Sequence, residues 1–344
     1  MKRIITGLGI AIVWTALLGG ASATPESRAA APFLLFEPSA RSAGMGEAYI
    51  AISDDANSTY YNPAALADDE RRDMSYTLYR PVPKLADDIF TSFGSYTQPF
   101  GTLGNLGFSL TYTSLGEQAR TDQQGQELGT FTSWGMALGA SYGTYITKSM
   151  SLGLTVKFIH ENLAGQGAGD EQGKGTGSSF AGDLGFMWKL SDRLTAAWVL
   201  RNVGPNITFI DADQADPLPQ NFTIGFAYRA YQTDHSKVLV SYDVYKPLAD
   251  EGFMSFVTGW SDSPAKDELE DIDHHVGAEW SYALSEESAI ALRTGYSHDT
   301  DGNVKTPTFG FGLKYNWASM DVAYFANNST PAGDSFRFTM GLSF

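Results

Sequence analysis

Ser335-Phe336-Arg337-Phe338-Thr339-Met340-Gly341-Leu342-Ser343-Phe344 closes the chain. Phe336, Phe338, Met340, Leu342 and Phe344 alternate with Ser335, Arg337, Thr339, Gly341 and Ser343. Successive side chains of a β-strand leave on opposite faces, so a period of two gives one apolar face and one small or polar face. The polar face here carries a charge, Arg337, in mid-strand. Buried in a sandwich core that charge would be costly, whereas a polar barrel lumen tolerates it. Phe309, Phe311, Leu313, Tyr315 and Trp317 repeat the pattern against Gly310, Gly312, Lys314 and Asn316. Phe222, Ile224, Phe226 and Tyr228 do so against Thr223, Gly225, Ala227 and Arg229.

Working back from the end, the alternation marks 14 segments: near 73–80, 88–97, 105–115, 130–143, 150–162, 178–189, 193–203, 221–230, 236–246, 273–283, 287–297, 306–316, 318–326 and 334–344. Most have the length of a tilted strand crossing a bilayer. Long connections (81–87, 116–129, 163–177, 204–220, 247–272, 298–305, 327–333) alternate with short ones (98–104, 144–149, 190–192, 231–235, 284–286 and residue 317), the first pair being a tie. An outer-membrane barrel has short turns on one side and long loops on the other, and a soluble sandwich has no reason to alternate so. Trp188, Trp198, Trp280, Trp317, Tyr228, Tyr282 and Tyr296 stand near strand ends, as in an interfacial girdle. The opposite face holds isolated charges: Lys157, Asp183, Arg201, Arg229, Asp243, Glu279, Arg293, Lys314, Asp321 and Arg337. The reading is an all-β protein, a 14-stranded antiparallel transmembrane β-barrel at 72–344, with those ten charges in its lumen.

Composition narrows the function classes. The 344 residues are 43% hydrophobic and only 18% charged, too apolar for disorder. Thirty-six glycines argue against a helical bundle. No cysteine is present, which removes disulfides, thiolate catalysis and Cys-ligated metal. The net charge of −16 opposes nucleic-acid binding, which needs a basic face.

The N-terminus reads as a signal peptide at 1–23. Lys2 and Arg3 precede an apolar run, and Ala21-Ser22-Ala23 gives the small-x-small cleavage pattern. Cleavage there would take the net charge to −18, since only Lys2 and Arg3 are lost. Even strand number puts both barrel termini on the periplasmic side and the long loops outside. Residues 24–71 lack the alternation. The wide lumen of a 14-strand barrel needs filling, so this segment reads as an N-terminal plug or hatch. Within it Asp54 or Asp55 can cap a helical turn, and Asn62 before Pro63 reads as an N-cap followed by proline at the first helical position.

Arg41-x-x-x-Met45-Gly46-x-Ala48, with Asp54-Asp55-Ala56 and Tyr61-Asn62-Pro63-Ala64, resembles the opening of PorV/PorQ-type outer-membrane proteins of the FadL-like superfamily. Arg201-Asn202-Val203-Gly204, Leu218-Pro219, Asp243 to Pro247, His275 to Trp280, Arg293 to Tyr296 and Phe309 to Gly312 extend the resemblance over the mature chain. It implies a 14-stranded barrel with a hatch, in the outer membrane of a diderm bacterium. Phe344 resembles the aromatic end that the barrel assembly machinery reads. By this resemblance, the barrel acts with the type IX secretion translocon and receives or shuttles cargo at the cell surface, with the 204–220 and 247–272 loops as contacts. A FadL-like uptake channel for hydrophobic small molecules is the alternative. The plug's Phe33-Leu34-Leu35-Phe36 could line an apolar pocket, and Gly135, Gly139 and Gly143 could kink the wall. A third reading is a structural barrel whose lumen charges pin the plug.

Catalytic signatures are absent. The 165–177 glycines miss the phosphate-loop spacing, no Gly-x-Ser-x-Gly elbow occurs, and adjacent His274 and His275 point to opposite strand faces. Asp211, Asp213 and Asp216 hint at calcium ligands, but Phe222 stands where a closing Glu is needed. The sequence therefore points to no enzyme, no cofactor and no metal, with outer-membrane lipid as the surrounding partner.

Overall fold

A computed structural model describes residues 29–52, 54–84, 86–121, 126–164, 175–209, 215–248, 272–300, 304–326 and 334–344. Fourteen antiparallel strands form one closed barrel, each paired with its sequence neighbours and the first with the last. They are β1 (Asp73–Tyr79), β2 (Ile89–Pro99), β3 (Asn105–Thr121), β4 (Glu127–Tyr145), β5 (Met150–Ala164), β6 (Gly175–Lys189) and β7 (Leu194–Val203). Then follow β8 (Asn221–Gln232), β9 (Ser236–Pro247), β10 (Asp273–Ala283), β11 (Ser288–Asp299), β12 (Val304–Tyr315), β13 (Ala318–Phe325) and β14 (Ser335–Ser343). Closure sets Asp73 opposite Ser343 and Tyr79 opposite Arg337, so no sheet edge remains to aggregate.

The alternation sorts the faces as the residues dictate. Phe336, Phe338 and Met340 stand about half exposed on the outer wall, while Arg337 and Thr339 between them are buried. Exposure of such side chains is unfavourable in water and favourable in lipid, so the apolar outer wall is the bilayer surface. Tyr112 stacks on Trp134, and Trp280 packs beside Tyr282, within the aromatic rims.

One connection differs from the sequence reading. Residues 116–121 and 127–129 are strand rather than loop: β3 runs to Thr121 and β4 starts at Glu127, with register shifts after Ser114 and Arg120. Pairing continues from Glu117–Thr132 to Thr121–Glu127 although β3 turns polar there, at Glu117, Gln118 and Arg120, because the ladder is made by backbone groups that any residue carries. The leader and its cleavage point lie outside the described residues, as do most of the 163–177 and 247–272 connections and residues 211 and 213.

Residues 29–72 lie within the ring. They contain a 3-10 turn (Pro32–Leu35), helix α1 (Ala40–Gly44), helix α2 (Ser58–Tyr61) and a second 3-10 turn (Pro63–Asp68). Pro63–Asp68 packs against β3 to β6, and α1 packs against β11 to β14 on the other side of the ring. A segment outside the barrel could not reach both sets of strands. Tyr49, Tyr61, Met45, Ala64 and Leu66 are fully buried there.

Candidate functional site

The seat of this inner segment on the wall is where the charged residues gather. Ser39 starts α1 by accepting from the backbone N–H of Arg41 and Ser42. That cap fixes the direction of Arg41. Its Nε donates to Glu279 Oε2 at 2.8 Å and its Nη2 to Glu279 Oε1 at 2.9 Å. The same guanidinium pairs with Asp54 and donates to Tyr49 Oη at 3.1 Å. Tyr49 in turn donates to Asp55 Oδ2 at 2.8 Å. On the wall Arg293 bridges Glu279 (2.7 Å) and Asp321 (2.6 Å). Two guanidiniums thus sit among four carboxylates, linking the segment to β10, β11 and β13. Burial pulls the Arg41 pKa down, but Asp54 and Glu279 outweigh it and hold it well above the ordinary value. Burial raises the Asp55 carboxyl and the Tyr49 phenol.

A second group of contacts uses backbone amides. Asp243 Oδ2 accepts from Tyr49 N (2.7 Å) and Ile50 N (3.0 Å). Glu161 Oε2 accepts from Ala31 N at 3.0 Å. Asn62 Oδ1 accepts from Ala64 N at 3.0 Å, and its amide donates to Ile50 O at 2.9 Å. The Asn62 cap thus forms, with Pro63 at the first position of its turn. Asp55 Oδ1 accepts from Asn57 N (2.8 Å) just before α2. Met45 and Gly46 lie against β10 and β11: Gly46, at φ 62°, would drive a Cβ into the Tyr296 backbone. His275 Nδ1 lies 2.9 Å from Gly46 O.

The remaining lumen charges divide. Lys157 pairs with Asp183 at 2.7 Å. Arg201 Nε donates to Asn221 at 3.0 Å and its guanidinium lies over the Tyr60 ring. Arg337 pairs with Glu47 at 3.2 Å between the Tyr79 and Phe325 rings. Arg229 instead donates to Asp192 O in the turn below β7, and Lys314 is exposed, so neither is bonded to the inner segment. Lys314 borders a recess of about 300 Å³ on the side of the short turns, shared with Arg41, Asp54, Asp73, Glu279 and Asp321.

Sequence reasoning missed the glycines that make room. Gly153 and Gly185 face Pro63 and Asn62 so closely that a Cβ would overlap them, and Gly277 and Gly295 do the same for Met45. Glycine recurring at inward positions of the alternation was the available signal. Gly135 and Gly143 belong to this set: they face Phe33 and Pro63, and β4–β5 pairing is regular through both, so no kink opens the wall there. Also missed were Glu37, Glu47, Glu161 and Asp69. Burial, then the charge of Glu47, pushes Glu37 up to about 8, and burial pushes Asp69 up to about 8.

The described parts of the 204–220 connection are two-sided: Pro205, Asn206, Thr208 and Asp216 are exposed, while other residues turn inward. Ile207 and Leu218 are buried, Ile207 pairs with Asp216, and Leu218 joins Ala31, Phe33, Leu34, Ala137, Ile159 and Ala181 in an apolar cluster.

The model of the type IX secretion system protein PorV family matches residues 24–251. The chain belongs to that family. A PorV-family chain folded as an antiparallel barrel is a protein of the Gram-negative outer membrane. No curated protein matches the chain. Among solved structures it resembles the Pseudomonas putida toluene transporter TodX, at 12% identity and a TM-score of 0.53 over 88% of this chain and 97% of that one. It also resembles a Pseudomonas aeruginosa FadL homologue, at 11% identity and a TM-score of 0.53 over 89% and 98%. At such identity the likeness shows the fold. The matched family is named for a secretion-system protein.

Proposed function

We propose that this PorV-family barrel is a type IX secretion component that receives or shuttles secreted cargo at the cell surface, with residues 24–71 as its plug. The match to the PorV family over 24–251 carries the reading. The filled lumen supports it: Met45, Tyr49, Tyr61, Ala64 and Leu66 are fully buried between the walls, so the barrel offers a surface rather than a conduit. In this reading 1–23 is a cleaved leader, the lumen charges hold the plug, and Phe344 is the assembly signal. The translocon and its cargo proteins are the partners. The test deletes the gene in its host and quantifies secreted proteins at the surface and in the periplasm. Cargo retained in the periplasm is the expected result. Unchanged secretion overturns it.

The second reading is uptake of a hydrophobic small molecule. The apolar cluster of Phe33, Leu34, Ile159 and Leu218 near the loop end supports it. Uptake of a labelled aromatic hydrocarbon by the wild type and by a plug-deleted variant tests it, since equal rates exclude gating.

A further inference from the structure

The outer wall carries three basic side chains in one row near the long loops. Strand register sets Val244 beside His274, His274 beside His298, and His298 beside Lys305, on β9 to β12. The residues next along turn inward: Asp243 and His275 bond the inner segment, Ser297 bonds His275, and Thr306 is buried. Alternation therefore puts the row on the lipid side. Adjacent strands lie about 4.8 Å apart, so the three basic groups span roughly 10 Å.

Their height is fixed by what lies below. The next outward row is Tyr242, Val276, Tyr296 and Pro307. Further down β12 the outward residues are Phe309, Phe311, Leu313 and Tyr315, all exposed. Lys305 and Tyr315 are ten positions apart. At about 3.3 Å per residue and a tilt of about 40°, that is roughly 25 Å of height, the whole apolar band of an outer-membrane barrel. With Tyr315 and Trp317 at the periplasmic rim, the basic row stands at the outer headgroups.

The ring of His274 is already oriented. It stacks on Tyr242 at 15°, and its Nδ1 lies 2.7 Å from Tyr242 Oη, which leaves Nε2 for a ligand. The side chains of His298 and Lys305 have no partner among the described residues. No described carboxylate shares this face: Asp273 and Asp299 leave on the lumen side by the same alternation, and Asp273 accepts from Thr300 N. Lys246, the next outward position up β9, is buried.

Two imidazoles and an ammonium at headgroup height complement a phosphate carried on acyl chains. We propose that β10 to β12 bind the headgroup phosphate of an outer-leaflet lipid. His274 Nε2, His298 and Lys305 donate to the phosphate, and the acyl chains run down over Tyr296, Phe309 and Phe311. The site lies outside the barrel and is independent of what the lumen does. His160, also on the upper outer wall, is a built-in control: its Nδ1 meets Ser178 and its ring packs on Trp134.

Native mass spectrometry of the purified full-length barrel tests this, with bisphosphorylated lipid A and with the same lipid A stripped of phosphate. The wild type should bind the phosphorylated form roughly tenfold or more tighter, since its bonds are charge-assisted. Combining His274→Ala, His298→Ala and Lys305→Ala should abolish that preference, with the gel shift of a folded barrel retained. Lys305→Gln alone, at an exposed strand end, should lower it without risk to folding. His160→Ala should keep it, and excess inorganic phosphate should not displace the lipid. The preference should grow as pH falls from about 8 to about 6, where imidazoles gain charge, and His274→Gln with His298→Gln should flatten that rise. Equal binding of the two lipid A forms overturns the proposal, as does a preference that survives the triple variant and Lys305→Gln. Loss of the preference in His160→Ala, displacement by inorganic phosphate, or a preference indifferent to pH overturns it as well.

Discussion

Arg41 and Glu279 stand 238 positions apart and meet through two parallel bonds of 2.8 and 2.9 Å. Glu279 is also the acceptor for Arg293, so one carboxylate joins the inner segment to the wall. Removing Arg41 leaves Glu279 with half its partners and frees Asp54. Arg41→Ala should lower barrel stability by about 3–5 kcal/mol, the range for breaking a buried pair. Arg41→Lys should recover only part of this, since an ammonium cannot make the fork. Urea unfolding midpoints of the refolded protein measure both.

Gly153 and Gly94 give a matched pair of substitutions. A Cβ at Gly153 overlaps the Pro63–Ala64 backbone, whereas one at Gly94 meets nothing. Gly153→Ala should cost about 1–3 kcal/mol by overpacking, and Gly94→Ala should stay within about 0.5 kcal/mol. Equal effects in heat-modifiability on gels would show that the wall does not seat the segment.

Asn62 caps Pro63–Asp68 and ties it to Ile50 O. Asn62→Ala loses the cap and leaves a buried carbonyl, so about 1–3 kcal/mol should go. Limited proteolysis should then cut within 57–69 sooner than in the wild type.

The buried carboxyls predict a pH dependence. Glu37 rises from 4.5 in the unfolded chain to about 8, and Asp69 from 3.8 to about 8. Each binds its proton more tightly when folded. Their contribution is therefore fully present below the unfolded values and is lost as pH climbs to about 8. Urea midpoints should fall across that window, and Glu37→Gln with Asp69→Asn should flatten the fall. A double variant with an unchanged slope would place the titration elsewhere.

The order and faces of the strands were legible from Ser335–Phe344 outward, because period-two alternation is a local property of each segment. Local, too, were the Asn62-Pro63 cap and the inward placement of Asp243, Glu279 and Arg337. The long reach of β3 and β4 was not legible, because polar residues above the membrane pair as well as apolar ones. Nor was the inward fold of Leu218, which depends on an apolar cluster assembled from Phe33, Ile159 and Ala181. By itself the sequence determined which residues face the lumen. Only barrel closure decided which of them meet, because strand tilt and register bring Glu279 to Arg41 and Gly153 to Pro63 across distances no local pattern encodes.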